Sequence, residues 1–110
     1  MKAMELGVYR EMGPLPGQEV LREMAFEILS MRPSEFAKVF KVLKVYDDGD
    51  VAGWYKGFYI ELHSRPATIR VADTDELTGN FYVAWTRRAG KLRRAVLKKA
   101  KAGQAVEVKA

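Results

Sequence analysis

Histidine and cysteine, which often serve as catalytic groups and metal ligands, are almost absent from this chain of 110 residues. His63 is the only histidine and cysteine is absent, which excludes imidazole clusters, thiolate sites and cysteine nucleophiles within one chain. Glu61 could orient His63 as a general base, although a histidine on a strand surface is the commoner situation. Glycine-rich loops for phosphates or dinucleotides do not occur. We therefore expect no enzymatic activity, no catalytic residue and no cofactor.

Two groups of carboxylates lie in segments that resemble turns. Residues 47–50 read DDGD, but the twelfth position counted from Asp47 is not the glutamate that a calcium-binding loop requires. Residues 73–76 read DTDE, which could grip a divalent ion and equally suits a turn. Both patterns are typical of turns, so the sequence predicts no metal site.

Aromatic side chains are concentrated in the stretch DVAGWYKGFYIELHS, residues 50–64. On a strand, alternate side chains point to opposite faces, and the later strand segments divide in the same way. The predicted core row consists of Trp54, Phe58, Ile60, Leu62, Ile69, Val71, Phe81, Val83 and Trp85. The opposite row consists of Tyr55, Tyr59, Glu61, His63, Thr68, Arg70, Tyr82, Ala84 and Thr86. The tyrosines of this opposite row, together with Arg70, predict an exposed surface on which unpaired bases stack. The alternative is that a helix covers this row.

Positive charge is concentrated towards the end of the chain. Residues 1–86 carry a net charge of −3, whereas residues 87–110 carry +8. Lys91, Arg94, Lys98 and Lys101 recur at spacings of 3, 4 and 3, which places them along one side of a helix that starts with two arginines. Such a helix favours an anionic partner, although a solvated lysine-rich helix is the alternative. Because bulky apolar anchors are missing from this helix, we expect nucleic acid and no membrane as the partner.

Rings that stack on bases, together with cations that contact phosphates, are what a flexible single strand requires. The predicted nucleic-acid-binding residues are Trp54, Tyr55, Lys56, Tyr59, Arg70, Tyr82, Arg87, Arg88, Lys91, Arg94 and Lys98.

Periodicity predicts the elements that position these residues. Apolar spacing indicates a helix over 17–31, and the ambiguous segment 32–47 is interpreted as a short helix over 34–40 followed by a strand over 41–47. Further strands are predicted over 51–63, 67–73 and 80–86, with DTDELTG as a turn or one helical turn, and a basic helix runs from 87 to Gly103.

The sequence thus predicts one α+β domain over residues 1–110. It combines N-terminal helices, a four-stranded antiparallel sheet and a basic C-terminal helix. The extended arm over 1–16 is a loop or a short edge strand, because its GPLPG cluster breaks helices, and residues 103–110 form a tail. Apolar runs are too short for a membrane span or a secretory signal, so we expect a cytoplasmic location. The single Asn, two Gln and absent Cys are typical of a thermophilic source.

Three features of the sequence are similar to those of a known protein family. They are the leading helix, the strand GWYKGFYIEL in a four-stranded sheet and the basic final helix. From Gly17 to Lys101 the chain resembles the ThermoDBP-related single-stranded DNA-binding proteins of hyperthermophilic archaea. The resemblance implies binding of single-stranded DNA in a cleft between sheet and helix, and self-association into a homo-oligomer. It implies roles for Trp54, Tyr55, Tyr59, Arg70, Tyr82 and the cations of the last helix. The family's coiled-coil tail is missing here, since the apolar line ends after Ala100.

Sequence-tolerant binding of single-stranded DNA is the leading hypothesis, with RNA as an alternative ligand. A regulator that binds duplex DNA would need a recognition helix, and the polar side of SEFAKVFKVLKV offers lysines without Asn, Gln or Arg. A protein-interaction adaptor would use the aromatic row as its interface.

Overall fold

Six antiparallel strands form a single sheet in the computed structural model, which describes residues 2–73 and 80–109, and side chains as far as residue 102. The elements are α1 (Lys2–Glu5), β1 (Arg10–Met12), α2 (Glu19–Leu29), α3 (Pro33–Val39), β2 (Lys41–Val45), β3 (Val51–Tyr55), β4 (Phe58–Ser64), β5 (Ala67–Ala72), β6 (Phe81–Trp85) and α4 (Arg87–Lys109). The strand order is β1-β6-β5-β4-β3-β2. The predicted α+β class is confirmed, whereas the predicted number of four strands is wrong.

A tight turn at Lys56 and Gly57 divides the aromatic stretch into β3 and β4. Both residues have positive φ, 49° and 83°, as the central positions of a type I′ hairpin turn require. Tyr55 is paired with Phe58 across this turn, so the two side chains point to the same face. The prediction of a single strand over 51–63 is therefore wrong. Tyr55 and Phe58, which would point to opposite faces of one continuous strand, share a face, so the residues before the turn lie on the opposite face from the one predicted.

The core lies on one face of the sheet, beneath α2, α3 and α4. Side chains from these helices pack against those from the sheet in one cluster, which includes Ile28, Leu29, Phe36, Leu92, Val96, Val51, Tyr55, Ile60, Leu62, Ile69, Val71, Tyr82 and Ala84. Burial of large apolar side chains contributes about 1.5–3 kcal/mol each, before entropy is counted, which stabilises this arrangement. Ile60, Leu62, Ile69 and Val71 are buried in the core as predicted.

Two strands present the opposite faces from those predicted. The face away from the helices carries Trp54 from β3 and Phe81, Val83 and Trp85 from β6. Trp54 and Phe81 pack against a small separate cluster of Ala52, Tyr59 and Ala72. Phe81, Val83 and Trp85 line a groove. Tyr55 and Tyr82 face the core instead and are 8% and 0% exposed. The cross-strand register determines this, because Tyr82 is paired with Val71, and Ala84 with Ile69. Paired residues on neighbouring strands point to the same face of the sheet. Because Val71 and Ile69 of β5 are buried in the core, Tyr82 and Ala84 of β6 are buried there too.

The segment 33–45 folds as a short helix followed directly by a strand, as predicted. Pro33 begins α3, where its missing N–H has no helical partner to lose, and Phe40 has extended backbone angles that end the helix. Gly53 makes room for the Phe40 ring, since a Cβ atom at residue 53 would lie 2.6 Å from Phe40 Cζ. The close approach joins α3 and β2 to the core.

The two ends of the chain agree with the prediction only in part. The arm over 1–16, predicted as a loop or a short edge strand, contains the unpredicted helix α1 and the edge strand β1, which is hydrogen-bonded to β6 and confirms the second alternative. The final helix continues to Lys109 instead of ending at Gly103. The turn or helical turn predicted for DTDELTG falls largely on residues 74–79, which lie outside the described residues.

Candidate functional site

A groove lies on the face of the sheet away from the helices. We call it the open groove; it has a volume of about 590 Å³ and is lined by Met12, Asp48, Asp50, His63, Ser64, Arg65, Pro66, Thr68, Arg70, Phe81, Val83 and Trp85. All of these residues belong to strands or to turns between strands. The groove thus has an apolar side, from β6, and a polar side, from β4 and the adjoining turns.

The apolar side consists of large, partly buried side chains that alternate along β6. Phe81, Val83 and Trp85 occur at every second position and therefore share one face of the strand. The guanidinium carbon of Arg70 lies 4.4 Å from the centre of the Phe81 ring, and that of Arg10 lies 4.7 Å from the Trp85 ring. Each guanidinium thus lies over a face of its ring in a cation–π contact, and a planar cation can itself stack on a further flat molecule.

The polar side contains a continuous network centred on His63. Its Nδ1 lies 2.7 Å from Asp50 Oδ2, and its Nε2 lies 3.0 Å from Glu61 Oε1. Glu61 also accepts a hydrogen bond from the Tyr59 hydroxyl at 2.7 Å, and its Oε1 lies 3.3 Å from Arg70. The carboxylates of Asp50 and Glu61 therefore balance the cations of Arg70 and a protonated His63.

Protonation of this network follows from its contacts. The hydrogen bond from His63 lowers the pKa of Glu61 to about 2 against the effect of burial, and Tyr59 and Arg70 act in the same direction. The hydrogen bonds to Glu61 and Asp50 raise the pKa of His63, although burial opposes them. An imidazolium with a donor at each nitrogen fits these two carboxylates. In that form His63 has no lone pair with which to accept a proton.

A second, basic cavity lies beside the turn between β4 and β5. We call it the basic rim; it has a volume of about 250 Å³ and is lined by Ser64, Ala67, Arg87, Gly90, Lys91, Arg93 and Arg94. Ser64 lines the open groove as well, so the two sites meet at the end of β4. The apolar residues Ala89, Leu92 and Val96 hold α4 against the core, which leaves Arg87, Lys91 and Arg94 exposed.

Several predicted binding residues do not lie in either site. Tyr55 and Tyr82 lie beneath the helices, where their hydroxyls donate hydrogen bonds to Glu27 at 2.9 Å and Glu11 at 2.6 Å. Tyr59 lies on the face of the sheet away from the helices, but it is only 5% exposed and its hydroxyl donates a hydrogen bond to Glu61. The predicted tyrosine platform is therefore wrong, because the turn at residue 56 and the register of β6 exchange the two rows.

The remaining predicted residues are distributed over three cavities and two other positions on α4. Arg70 lines the open groove, and Arg87, Lys91 and Arg94 line the basic rim. Trp54 and Lys56 line a smaller depression near the hairpin turn, in which Trp54 packs edge-on against Tyr59 and Lys56 is paired with Glu27 at 2.8 Å. Arg88 donates a hydrogen bond to the carbonyl of Leu29 at 3.2 Å, and Lys98 is exposed farther along α4.

Sequence reasoning missed the residues that form the aromatic side of the open groove. Phe81 and Trp85 were expected in the core because they are the largest apolar side chains of their strand. Arg10 was expected in an arm that is a loop or a short edge strand, with no role in binding. The strict alternation FYVAW did show that Phe81, Val83 and Trp85 share a face, but only the pairing with β5 shows which face that is.

Among residues 2–73 and 80–109, no cluster of three or more acidic or histidine side chains has the geometry to hold a metal ion. No helix in the described part of the chain has the length and apolarity needed to cross a membrane. Comparisons with protein-family models, with curated proteins and with solved structures found no significant match to this chain.

Proposed function

We propose that this protein binds single-stranded nucleic acid, DNA in the first place and RNA as the alternative ligand, in the open groove and without strong sequence preference. The observation that carries the proposal is the pair of rings, Phe81 and Trp85, each beside an arginine on a sheet face that α2, α3 and α4 leave uncovered. The proposed role is binding, with no chemical step.

The groove offers the two kinds of contact that a single strand needs. Bases stack on aromatic rings and on guanidinium planes, and each stacked base contributes about 1–3 kcal/mol with little dependence on its identity. Arg10 is exposed, so its guanidinium can stack on a base or leave the Trp85 ring to contact a phosphate. Arg65 is an exposed cation along the same groove, whereas the charge of Arg70 is balanced by Glu61.

Duplex DNA fits the described surface less well than a single strand. A rigid double helix needs an element that enters its major groove. α3 contains the helical part of the segment SEFAKVFKVLKV considered for this role, and it buries Phe36 and Ala37 in the core.

Self-association stays a prediction from the family resemblance, and sedimentation of the free protein tests it.

The decisive experiment is a fluorescence anisotropy titration with labelled single-stranded DNA, single-stranded RNA and duplex DNA at two salt concentrations. We expect the single strands to bind more tightly than the duplex, with affinity that falls as salt rises. Val20→Ala, an exposed position on α2 distant from the groove, serves as a control that should leave binding unchanged. Equal or tighter binding of the duplex would overturn the proposal.

A further inference from the structure

The basic rim differs from the open groove in its chemistry. Four of its described lining residues are cations, namely Arg87, Lys91, Arg93 and Arg94, and none is a carboxylate or an aromatic ring. Like charges gathered around one cavity repel each other unless an anion lies between them. The rim therefore suits phosphate, whereas the groove suits bases.

The cations of α4 divide into two sets by their contacts. Arg88 donates to the Leu29 carbonyl at 3.2 Å, Arg93 to the Gly49 carbonyl at 2.9 Å, and Lys99 to the Ala37 carbonyl at 2.9 Å. These contacts hold α4 against the ends of α2 and α3 and against the turn before β3. These three cations therefore stabilise the packing of α4 on the rest of the protein.

The second set makes no such contact with a described residue; it includes Lys98 and Lys101 outside the rim, and Arg87, Lys91 and Arg94 within it. Their spacings of 4 and 3 place them along one side of the helix, and all three are exposed. No carboxylate of a described residue lies within 4.0 Å of their charged nitrogens. They line the rim without a role in packing, which is typical of cations that contact a mobile anion.

Ser64 connects the rim to the open groove. It lines both cavities, and the next residue, Arg65, lines the groove on the other side of the turn between β4 and β5. A polyanion that leaves the groove at this turn therefore meets positive charge on both sides of it. We propose that a bound single strand crosses this turn and continues onto the basic rim, where Arg87, Lys91 and Arg94 contact its phosphates. This inference rests on the proposed function.

The test compares a short and a long strand. A piece of about 4 nucleotides can occupy the groove alone, whereas one of about 12–16 nucleotides can reach the rim as well. The variant Lys91→Gln/Arg94→Gln removes two rim cations. The matched control Lys98→Gln/Lys101→Gln removes the same charge from exposed positions of the same helix outside the rim. Affinity for both oligo-dT lengths is measured by anisotropy over a series of salt concentrations.

We expect the rim variant to bind the short strand as the unmodified protein does. Its affinity for the long strand should fall severalfold, and the slope of log affinity against log salt should become shallower by about 1.4, or 0.7 for each lost phosphate contact. The control variant should change that slope less. If the unmodified protein binds neither length, the proposed function itself is wrong. If it binds both, and the rim variant affects them equally or not at all, the path across the turn is wrong and the groove proposal stands.

Discussion

His63 Nδ1 lies 2.7 Å from Asp50 Oδ2, a contact that closes the β3–β4 hairpin at the end opposite to its turn. Asp50 also accepts hydrogen bonds from the backbone and side chain of Ser64 at 3.2 Å and 3.4 Å. Since Glu61 binds the other nitrogen of the imidazole, the protonation of one histidine links the hairpin end to the floor of the open groove.

Stability should fall as the pH rises through the pKa of His63. Its folded-state pKa is raised, so its contribution to the free energy of unfolding is fully present below the ordinary value of 6.5 and is lost above the raised pKa. The groups that face it are Asp50 and Glu61, the latter also paired with Arg70. Denaturant unfolding between about pH 6 and 9 measures the effect. His63→Gln should abolish this part of the pH dependence, and an unchanged profile in the variant would contradict the assignment.

The two tryptophans should respond differently to a bound strand. In Trp54→Phe, the remaining fluorescence comes from Trp85 in the open groove, and stacking of oligo-dT should quench it. In Trp85→Phe, the reporter is Trp54, which packs on Tyr59 outside the groove, and its emission should change little. Equal quenching in the two variants would place the strand elsewhere.

Tyr82→Phe should destabilise the protein without weakening nucleic-acid binding. Its hydroxyl donates to Glu11 at 2.6 Å beneath the helices, and loss of a hydrogen bond to a charged group costs about 1.5–3 kcal/mol. Urea unfolding measures the cost and anisotropy measures the affinity. Tyr55→Phe, which removes a hydrogen bond to the more exposed Glu27, is the matched comparison and should cost less. A clear loss of affinity with intact stability would restore the predicted platform.

Gly53→Ala should destabilise the protein by about 1–3 kcal/mol, the typical cost of overpacking a core. The added methyl group would overlap the backbone carbonyl oxygen of Lys41 and lie 2.6 Å from the buried Phe40 ring, so β2 or that ring would have to shift. Gly90→Ala is the control, because its methyl group would meet Ala67 and Arg94 at an ordinary 3.5 Å within a helix that favours alanine. Thermal unfolding compares the two variants, and a Gly53→Ala protein as stable as the parent would show that α3 and β3 can separate.

Much of the fold could be predicted because it depends on local patterns. Apolar spacing in 19–29 and the helix-start signal of Pro33 and Ser34 locate two helices, and the β-branched residues of 41–45 locate a strand. The alternation within each strand was also evident from the residues themselves. The turn at Lys56 was missed because a lysine rarely adopts positive φ, and the usual turn signal at that position is Asn or Asp.

The sequence by itself determined the segments that become α2, α3, β2, β5, β6 and the final helix, which side chains share a face within each of those strands, and that positive charge gathers on the final helix. Only the tertiary structure decided that residues 51–64 form two strands, that Phe81 and Trp85 face a groove while Tyr55 and Tyr82 are buried, and that the cavity of Arg87, Lys91 and Arg94 shares Ser64 with that groove. The physical reason is that burial depends on which partner covers a face. Turn geometry, cross-strand register and helix packing choose that partner from segments far apart in the chain.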